Sequence, residues 1–417
     1  MWVVRQENLW GNEMAEKKKV MIVAHFCDYG NEQSNNRFNY LADCFARNGM
    51  AVELVTSSFS HRDKTQRKEG ALQEGYKTTL IYEPSYKRNI SLKRLFISHA
   101  TMAKNLRKYL ENREKPDLIY CAIPSVDVSE VAAQYANDRG IPFVLDVQDL
   151  WPEAYRLVLG NGALYKTVES LLKKRVDRVY AAADQIVAVS DTYAQRAKSV
   201  NIKCAKPLTV YLGTDAAAFD AHVKESAPQY LKPQGEFWLG YCGTLGSSYD
   251  LTTVMEAMKV LLDRGIKNIR LVVMGSGPLE DAFRQKADTL GIPVTFTGKL
   301  PYGQMCAQLA RCDAAVNPIA AGAAQSIINK HADYAVAGLA VINTQENAEY
   351  RQLLETYGCG ISCEPADVQA VADAIERLNG DRELCARMGA QARQMGLERF
   401  DRAEIYHRLV KTMDAML

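Results

Sequence analysis

A chain of 417 residues, 47% of them apolar and 24% charged, is too long for one hydrophobic core and apolar enough to build two. A formal charge of only +2 excludes a whole-molecule polyanion binder of the nucleic-acid kind, and no window nears the ~20 apolar residues that cross a bilayer. The 10 cysteines are scattered through the chain, and the opening run Met1-Trp2-Val3-Val4 is too short for a signal-peptide core, so a cytoplasmic protein with reduced thiols is expected.

Residues 1–16 read as a polar lead-in. A first α/β domain is expected over 17–206. Val20-Met21-Ile22-Val23-Ala24 is a buried strand, and a polar loop from Cys27 to Asn36 leads into a helix whose Phe38, Leu41, Ala42 and Phe45 share one face. Gly49 ends that helix, and Val52-Glu53-Leu54-Val55 is the second strand. Further strands are expected at 118–121, 143–147 and 185–189, with helical patterns between them. From 207 to 235 the alternation breaks around Pro207, Pro228, Pro233 and Gly235, which reads as a linker region.

The pattern restarts in a second α/β domain over 236–400, with strands at 238–242, 269–274, 294–296, 314–316 and 340–342, and a C-terminal helix over 401–417. Short apolar runs alternating with amphipathic stretches imply parallel sheets covered by helices, so the fold class is α/β: two Rossmann-like, doubly wound domains facing across a cleft.

Between His61 and Asp117 the chain carries 14 Lys and Arg against 7 Asp and Glu, interleaved with Tyr82, Tyr86, Leu92, Leu95, Phe96 and Ile97. Such a stretch suits an anionic membrane surface, and a solvated helix face with a loop is the competing reading.

Chemistry is most legible in the second domain. Gly275-Ser276-Gly277 follows a strand and opens a helix, so its glycines let backbone approach a ligand and its N–H groups can face an anion; a tight structural turn explains it equally. Glu280 stands where a dinucleotide fingerprint has its third glycine, which disfavours NAD. Cys242-Gly243-Thr244-Leu245-Gly246-Ser247-Ser248 is a second small, polar turn that suits a diphosphate. Gln325-Ser326-Ile327-Ile328-Asn329-Lys330-His331-Ala332-Asp333 reads as a loop entering a helix, where an acidic group can accept both ribose hydroxyls and Lys330 adds a cation near phosphate oxygens. Spacing alone leaves these residues open to a merely solvated reading.

From Lys17 to its end the chain resembles the family 4 retaining glycosyltransferases of the B-type, two-Rossmann fold (GT-B), and within them the branch that builds capsules, exopolysaccharides and O-antigens. The resemblance is carried, in order, by Asn36-Arg37-Phe38, Asp149-Leu150-Trp151-Pro152-Glu153, Leu212-Gly213-Thr214-Asp215 with Phe219, Gly243-Thr244-Leu245-Gly246, Gly275-Ser276-Gly277, Phe296-Thr297-Gly298-Lys299-Leu300-Pro301 and Asn329-Lys330 with Asp333-Tyr334. It implies a nucleotide-sugar donor, UDP-linked by expectation, in the second domain. Asp333 would stand at the position of the ribose-binding second glutamate, Gly298 and Lys299 beside the base, and Gly243, Thr244 and Lys330 near the diphosphate. Gly275, Gly277 and Gln325 complete the expected donor set. The first domain would hold a lipid-linked or glycan acceptor, with the loop around Gly30 closing over the sugar, at the inner face of a membrane.

Three positions depart from the family pattern: Gln325 replaces the first glutamate of the paired motif, Thr244 a phosphate-binding arginine, and Gln148 a histidine that orients the sugar. The resemblance further implies retention of anomeric configuration by front-face attack, in which the leaving phosphate takes the acceptor's proton and no protein nucleophile is needed. Asp149 and Glu153, past the end of a first-domain strand, are the candidates for orienting the acceptor or assisting its deprotonation, and Asp149 reads equally well as a helix cap. No Asp-x-Asp motif or histidine cluster is visible in the sequence, so no metal is expected. A nucleotide-sugar epimerase of similar two-domain fold is the alternative function.

Overall fold

The computed structural model describes residues 17–29, 37–68, 75–87, 93–150, 163–323 and 326–417. Two compact units divide the chain, one running to Val210 and taking back Tyr406–Leu417, the other spanning Tyr211–Ile405.

The first unit is built on a seven-stranded sheet of β1 (Lys19–Val23), β2 (Ala51–Ser57), β3 (Lys77–Ile81), β4 (Leu118–Ile123), β5 (Phe143–Val147), β6 (Gln185–Ala188) and β7 (Leu208–Thr209) in the order β3-β2-β1-β4-β5-β6-β7. Every pairing is parallel. Its central strands are buried along their whole length because helices cover both faces, which is why they read as largely apolar runs, interrupted by charge at Glu53 in β2 and Asp146 in β5. The edge strands β3 and β7 are only partly buried, and they are the ones whose sequences carry no such run.

The second unit repeats the scheme with β8 (Phe237–Cys242), β9 (Ile269–Met274), β10 (Val294–Gly298), β11 (Ala314–Asn317), β12 (Ala340–Asn343) and β13 (Gly360–Ser362) in the order β10-β9-β8-β11-β12-β13, again all parallel. Alternation along β8 sends Phe237, Leu239 and Tyr241 into one apolar cluster and Trp238 and Cys242 into another, so the sheet has a core on each face. These are the doubly wound sheets of the expected α/β class. The stretch expected as a linker contains β7 and a helix, Ala216–Glu225, whose N-cap Asp215 accepts from the Ala218 N–H at 2.8 Å.

In each sheet the strand order reverses beside the first strand, between β1 and β4 and between β8 and β11. Open α/β sheets bind ligands beyond the carboxyl ends of the strands at such reversals. The loops leaving β1, β4, β8 and β11 are therefore the places to look for chemistry.

Candidate functional site

In the second unit, β8 runs out into Gly243-Thr244-Leu245-Gly246 and β9 into Gly275-Ser276-Gly277, and the two turns are laced together. Gly243 N–H donates to Met274 O at 3.0 Å, Leu245 N–H to Ser276 O at 3.0 Å, Leu279 N–H to Leu245 O at 3.0 Å, and Gly275 N–H to Gly298 O at 2.9 Å. A Cβ at Gly275 would stand 1.8 Å from Gly243 O, and one at Gly277 would stand 2.3 Å from Leu245 O. Turn-against-turn packing thus accounts for Gly275 and Gly277 without any ligand. Gly277→Ala is expected to lower stability by about 1–3 kcal/mol through overpacking, seen as a lower melting temperature in ligand-free protein. An unchanged melting temperature would return Gly277 to a purely ligand-facing role.

Gly243 differs. A side chain there would meet Tyr241 Oη at 3.4 Å and Lys330 Nζ at 3.5 Å, so the turn lies directly beside the lysine amine. Lys330 is the second residue of the helix Asn329–Val336 and is 6% exposed. Its Nζ lies 3.8 Å from the centroid of the Tyr249 ring and 4.5 Å from that of Tyr241, and it has no hydrogen-bond partner among the described residues. Burial pulls its pKa down to about 7, against a smaller opposing pull from Cys242. The buried amine thus lies between two ring faces and the Gly243 turn, at the β8 end of the strand reversal.

Two contacts hold this helix in place. Cys242 N–H donates to Tyr334 Oη at 3.0 Å, which pins the helix to the end of β8. His331 Nδ1 accepts the Ile328 N–H at 3.1 Å while its ring stacks on Tyr350 at 3.8 Å, which fixes the chain entering the helix. Neither Tyr334 nor His331 stood out by spacing as a positioning group.

Asp333, one turn on from Lys330, is 7% exposed. Tyr302 donates to its Oδ1 at 3.0 Å, and the Tyr302 hydroxyl in turn meets Thr214 Oγ1 at 2.7 Å. Burial raises the Asp333 carboxyl to about 6, against the downward pull of Tyr302, Thr214 and Arg402. Part of its hydrogen-bonding capacity is therefore already committed within the unit. Gly298 ends β10 with φ +71°, a left-handed turn with open space around it, and Lys299 and Thr244 are exposed. Gln325 lies outside the described residues. Ser326 Oγ is buried without a partner among the described residues, and an amide network joins Asn317 Nδ2 to Asn343 Oδ1 at 2.8 Å and to Gln345 Oε1 at 3.2 Å.

In the first unit, Asp149 lies two residues beyond β5 and is partly buried, while Glu153 and the loop around Gly30 fall outside the described residues. Gln148 Nε2 donates to Asp146 Oδ1 at 2.6 Å, so its amide is tied to a carboxylate inside the sheet. Of the basic stretch, Lys104, Arg107 and Lys108 are exposed on the helix His99–Glu111, with Tyr82 and Ile97 more than half exposed. Arg67 instead turns inward to the carbonyls of Ser57 and Cys27, each at 2.7 Å, and Arg113 pairs with Glu53. Among the described residues no helix is long and apolar enough to cross a membrane.

Two family descriptions match the chain: "Glycosyltransferase Family 4" over residues 35–218 and "Glycosyl transferases group 1" over residues 223–395. No curated protein matches at a significant level. Among solved structures, a sucrose-phosphate synthase from Thermosynechococcus elongatus is 15% identical with a TM-score of 0.70, covering 96% of this chain and 99% of its own. HepE of Anabaena, solved with UDP, is 14% identical with a TM-score of 0.68, covering 95% and 100%. WaaG, a glycosyltransferase involved in lipopolysaccharide biosynthesis, is 15% identical with a TM-score of 0.63, covering 94% and 99%. At these identities the likeness establishes the fold, two Rossmann-like units of the GT-B type.

Proposed function

The chain belongs to the family 4, group 1 glycosyltransferases, a retaining family, and from that premise we propose that it transfers a sugar from a UDP-linked donor to a lipid-linked or glycan acceptor in surface polysaccharide biosynthesis. The observation that carries the donor half is Lys330 Nζ, buried and without a hydrogen-bond partner among the described residues, beside Gly243. A diphosphate is the anion that the Gly243-Thr244 turn and this amine suit together, with turn N–H groups supplying further donors. That HepE has been solved with UDP and with UDP-glucose favours uridine over other bases.

Breaking the sugar–phosphate bond places new negative charge on the departing diphosphate. Lys330, already fixed before the donor arrives, stabilises that charge without reorganisation. The acceptor hydroxyl attacks the anomeric carbon from the side the phosphate leaves, and a phosphate oxygen takes its proton, so configuration is retained. Asp333 accepts the ribose hydroxyls, with Tyr302 holding one carboxylate oxygen in place; Gly298 and Lys299 flank the base, and Gln325 replaces an acidic contact to the sugar. Gly275 and Gly277 shape the cradle rather than touch the donor. On the acceptor side, Asp149 and Glu153 orient the hydroxyl.

The test is thermal stabilisation by a panel of nucleoside diphosphates and nucleotide-sugars, since saturating ligand raises stability by RT ln(1 + [L]/Kd), about 2.7 kcal/mol at 100-fold excess over Kd. UDP compounds are expected to give the largest shift, and Asp333→Ala to weaken UDP binding about tenfold or more in calorimetry while the ligand-free melting curve persists. Undiminished affinity removes Asp333 from the ribose role. Labelled UDP-sugar incubated without acceptor should stay unchanged, because epimer formation there would favour the epimerase. The exposed basic and apolar side chains of 61–117 are proposed to touch an anionic membrane on its cytoplasmic side, a reading that ends if the protein fails to sediment with anionic vesicles at low salt.

A further inference from the structure

At the carboxyl edge of the seven-stranded sheet the fold gathers buried polar side chains to which the proposed transfer assigns no role. His25 follows β1, Ser57 ends β2, Glu83 follows β3 and Ser125 follows β4, and each is at most 1% exposed. His99, also 1% exposed, opens the helix His99–Glu111, and its ring meets His25 edge-on with centroids 4.9 Å apart.

The donor atoms of His25, Glu83 and His99 all lie within 4.8 Å of one another. His25 Nε2 faces Glu83 Oε2 at 2.8 Å, and its Nδ1 faces Ser125 Oγ at 2.7 Å. Glu83 also accepts from Ser57 Oγ at 2.6 Å and from Ser98 Oγ at 2.5 Å.

A buried ion pair needs one imidazole for one carboxylate. A second imidazole at the same point is surplus to that pair and costs free energy wherever both rings are charged. Two imidazoles and a carboxylate converging from three separate elements are instead a donor set for a borderline divalent cation, of the mixed nitrogen and oxygen kind that Zn²⁺ accepts. The surrounding contacts fit the same reading: a histidine ligand held through its far nitrogen by a hydroxyl, and a carboxylate ligand held by two serines.

We propose that His25, Glu83 and His99 form a divalent-cation site of the zinc class that ties the ends of β1 and β3 to the start of the helix His99–Glu111. Coordination through His25 Nε2 puts the ring proton on Nδ1, where Ser125 Oγ accepts it, and replaces the His25–Glu83 hydrogen bond by two coordinate bonds. Arg94 Nε donates to His99 Nε2 at 3.3 Å, so use of that nitrogen moves the Arg94 Nε away from it. The guanidinium keeps its seat over the Phe26 and Tyr86 rings, 5.2 and 5.6 Å from their centroids. This site is independent of the donor site and does not rest on the transferase reading.

The full chain, stripped with a chelator and titrated with Co²⁺, is expected to bind one ion. Its spectrum should show visible ligand-field bands without the near-ultraviolet charge transfer that thiolate ligands give. Zn²⁺ should displace the cobalt and raise the melting temperature. Ser125→Ala, which keeps all three ligands, is expected to weaken Co²⁺ binding about 10–100-fold, and His99→Ala to abolish it. No uptake by the wild-type chain, unchanged affinity in Ser125→Ala, or a thiolate spectrum assigning the ion to some of the ten cysteines overturns the proposal. The wild-type spectrum and the serine variant decide the matter even if His99→Ala does not fold.

Discussion

Lys330→Met is expected to lower kcat/KM for the nucleotide-sugar about 10²–10³-fold while leaving the ligand-free protein at least as stable as the wild type. The loss follows from removing a preorganised cation from the departing diphosphate, a change worth about 3–4 kcal/mol in transition-state stabilisation. The undiminished stability follows from the amine's surroundings. It is 6% exposed and lies over the rings of Tyr241 and Tyr249 with no hydrogen-bond partner among the described residues, so an apolar side chain of similar length relieves a desolvation cost.

The titration of Lys330 gives a second readout. Its pKa is about 7 in the folded, ligand-free protein against an ordinary 10.5, so between those values the unfolded chain binds the extra proton. Through this group, stability therefore rises with pH across that window, and the wild type should gain on Lys330→Met as the solution is made more alkaline. A bound diphosphate favours the charged amine, so UDP binding near pH 8 should draw in a proton, visible as a dependence of calorimetric heat on the buffer's ionisation enthalpy. Full activity in the variant, or binding of UDP by wild type and variant with identical heats in every buffer, would take Lys330 out of the diphosphate site.

How much of this was legible beforehand depends on how each feature is encoded. Strands such as Phe143–Val147 and Ile269–Met274 are buried along almost all their length and so are written as apolar runs with one charged residue each, Asp146 and Arg270. Lys77–Ile81 and Gly360–Ser362 sit at sheet edges, where partial exposure dilutes that signal. The glycine turns after β8 and β9 are visible as glycine, but only the fold separates their reasons: Gly275 and Gly277 yield to a neighbouring backbone, whereas a side chain at Gly243 would meet only ordinary contacts and its φ of +143° is what favours glycine. Lys330 could be singled out through the family resemblance, since its spacing from Asp333 alone fits a solvated helix face equally. Tyr302 and Thr214 could not be tied to Asp333, because 31 residues separate Tyr302 from Asp333 and 88 separate Thr214 from Tyr302. The same holds for the histidine cluster. The sequence shows none, yet His25, Glu83 and His99 converge because parallel strands bring their carboxyl ends to one edge of a sheet.

Asp146→Ala is expected to destabilise the first unit by about 3–5 kcal/mol, and Arg37→Met by a similar amount. Arg37 opens the helix Arg37–Arg47, and Asp146 lies within β5. They meet in a two-pronged pair, Nε to Oδ2 at 2.7 Å and Nη2 to Oδ1 at 3.2 Å, with exposures of 3% and 0%. Neither charge has water to fall back on. Arg37 Nη1 also donates to Val210 O at 2.7 Å, its guanidinium carbon lies 5.4 Å from the centroid of the Tyr406 ring, and Tyr120 Oη donates to Asp146 Oδ2 at 2.6 Å. Losing either partner strands the other charge in the core, whereas Arg37→Met combined with Asp146→Leu leaves no buried charge unpaired and should recover much of the loss. Because two units melt in one chain, the effect is best read from amide exchange of β5 and its neighbours. Exchange there should speed up in each single variant and slow again in the double. Gln148 hangs from the same carboxylate and leads into Asp149, so the single variants should also raise KM for the acceptor more than for the nucleotide-sugar. Single variants that match the wild type in β5 exchange would show that this pair is not what holds the strand to its helix.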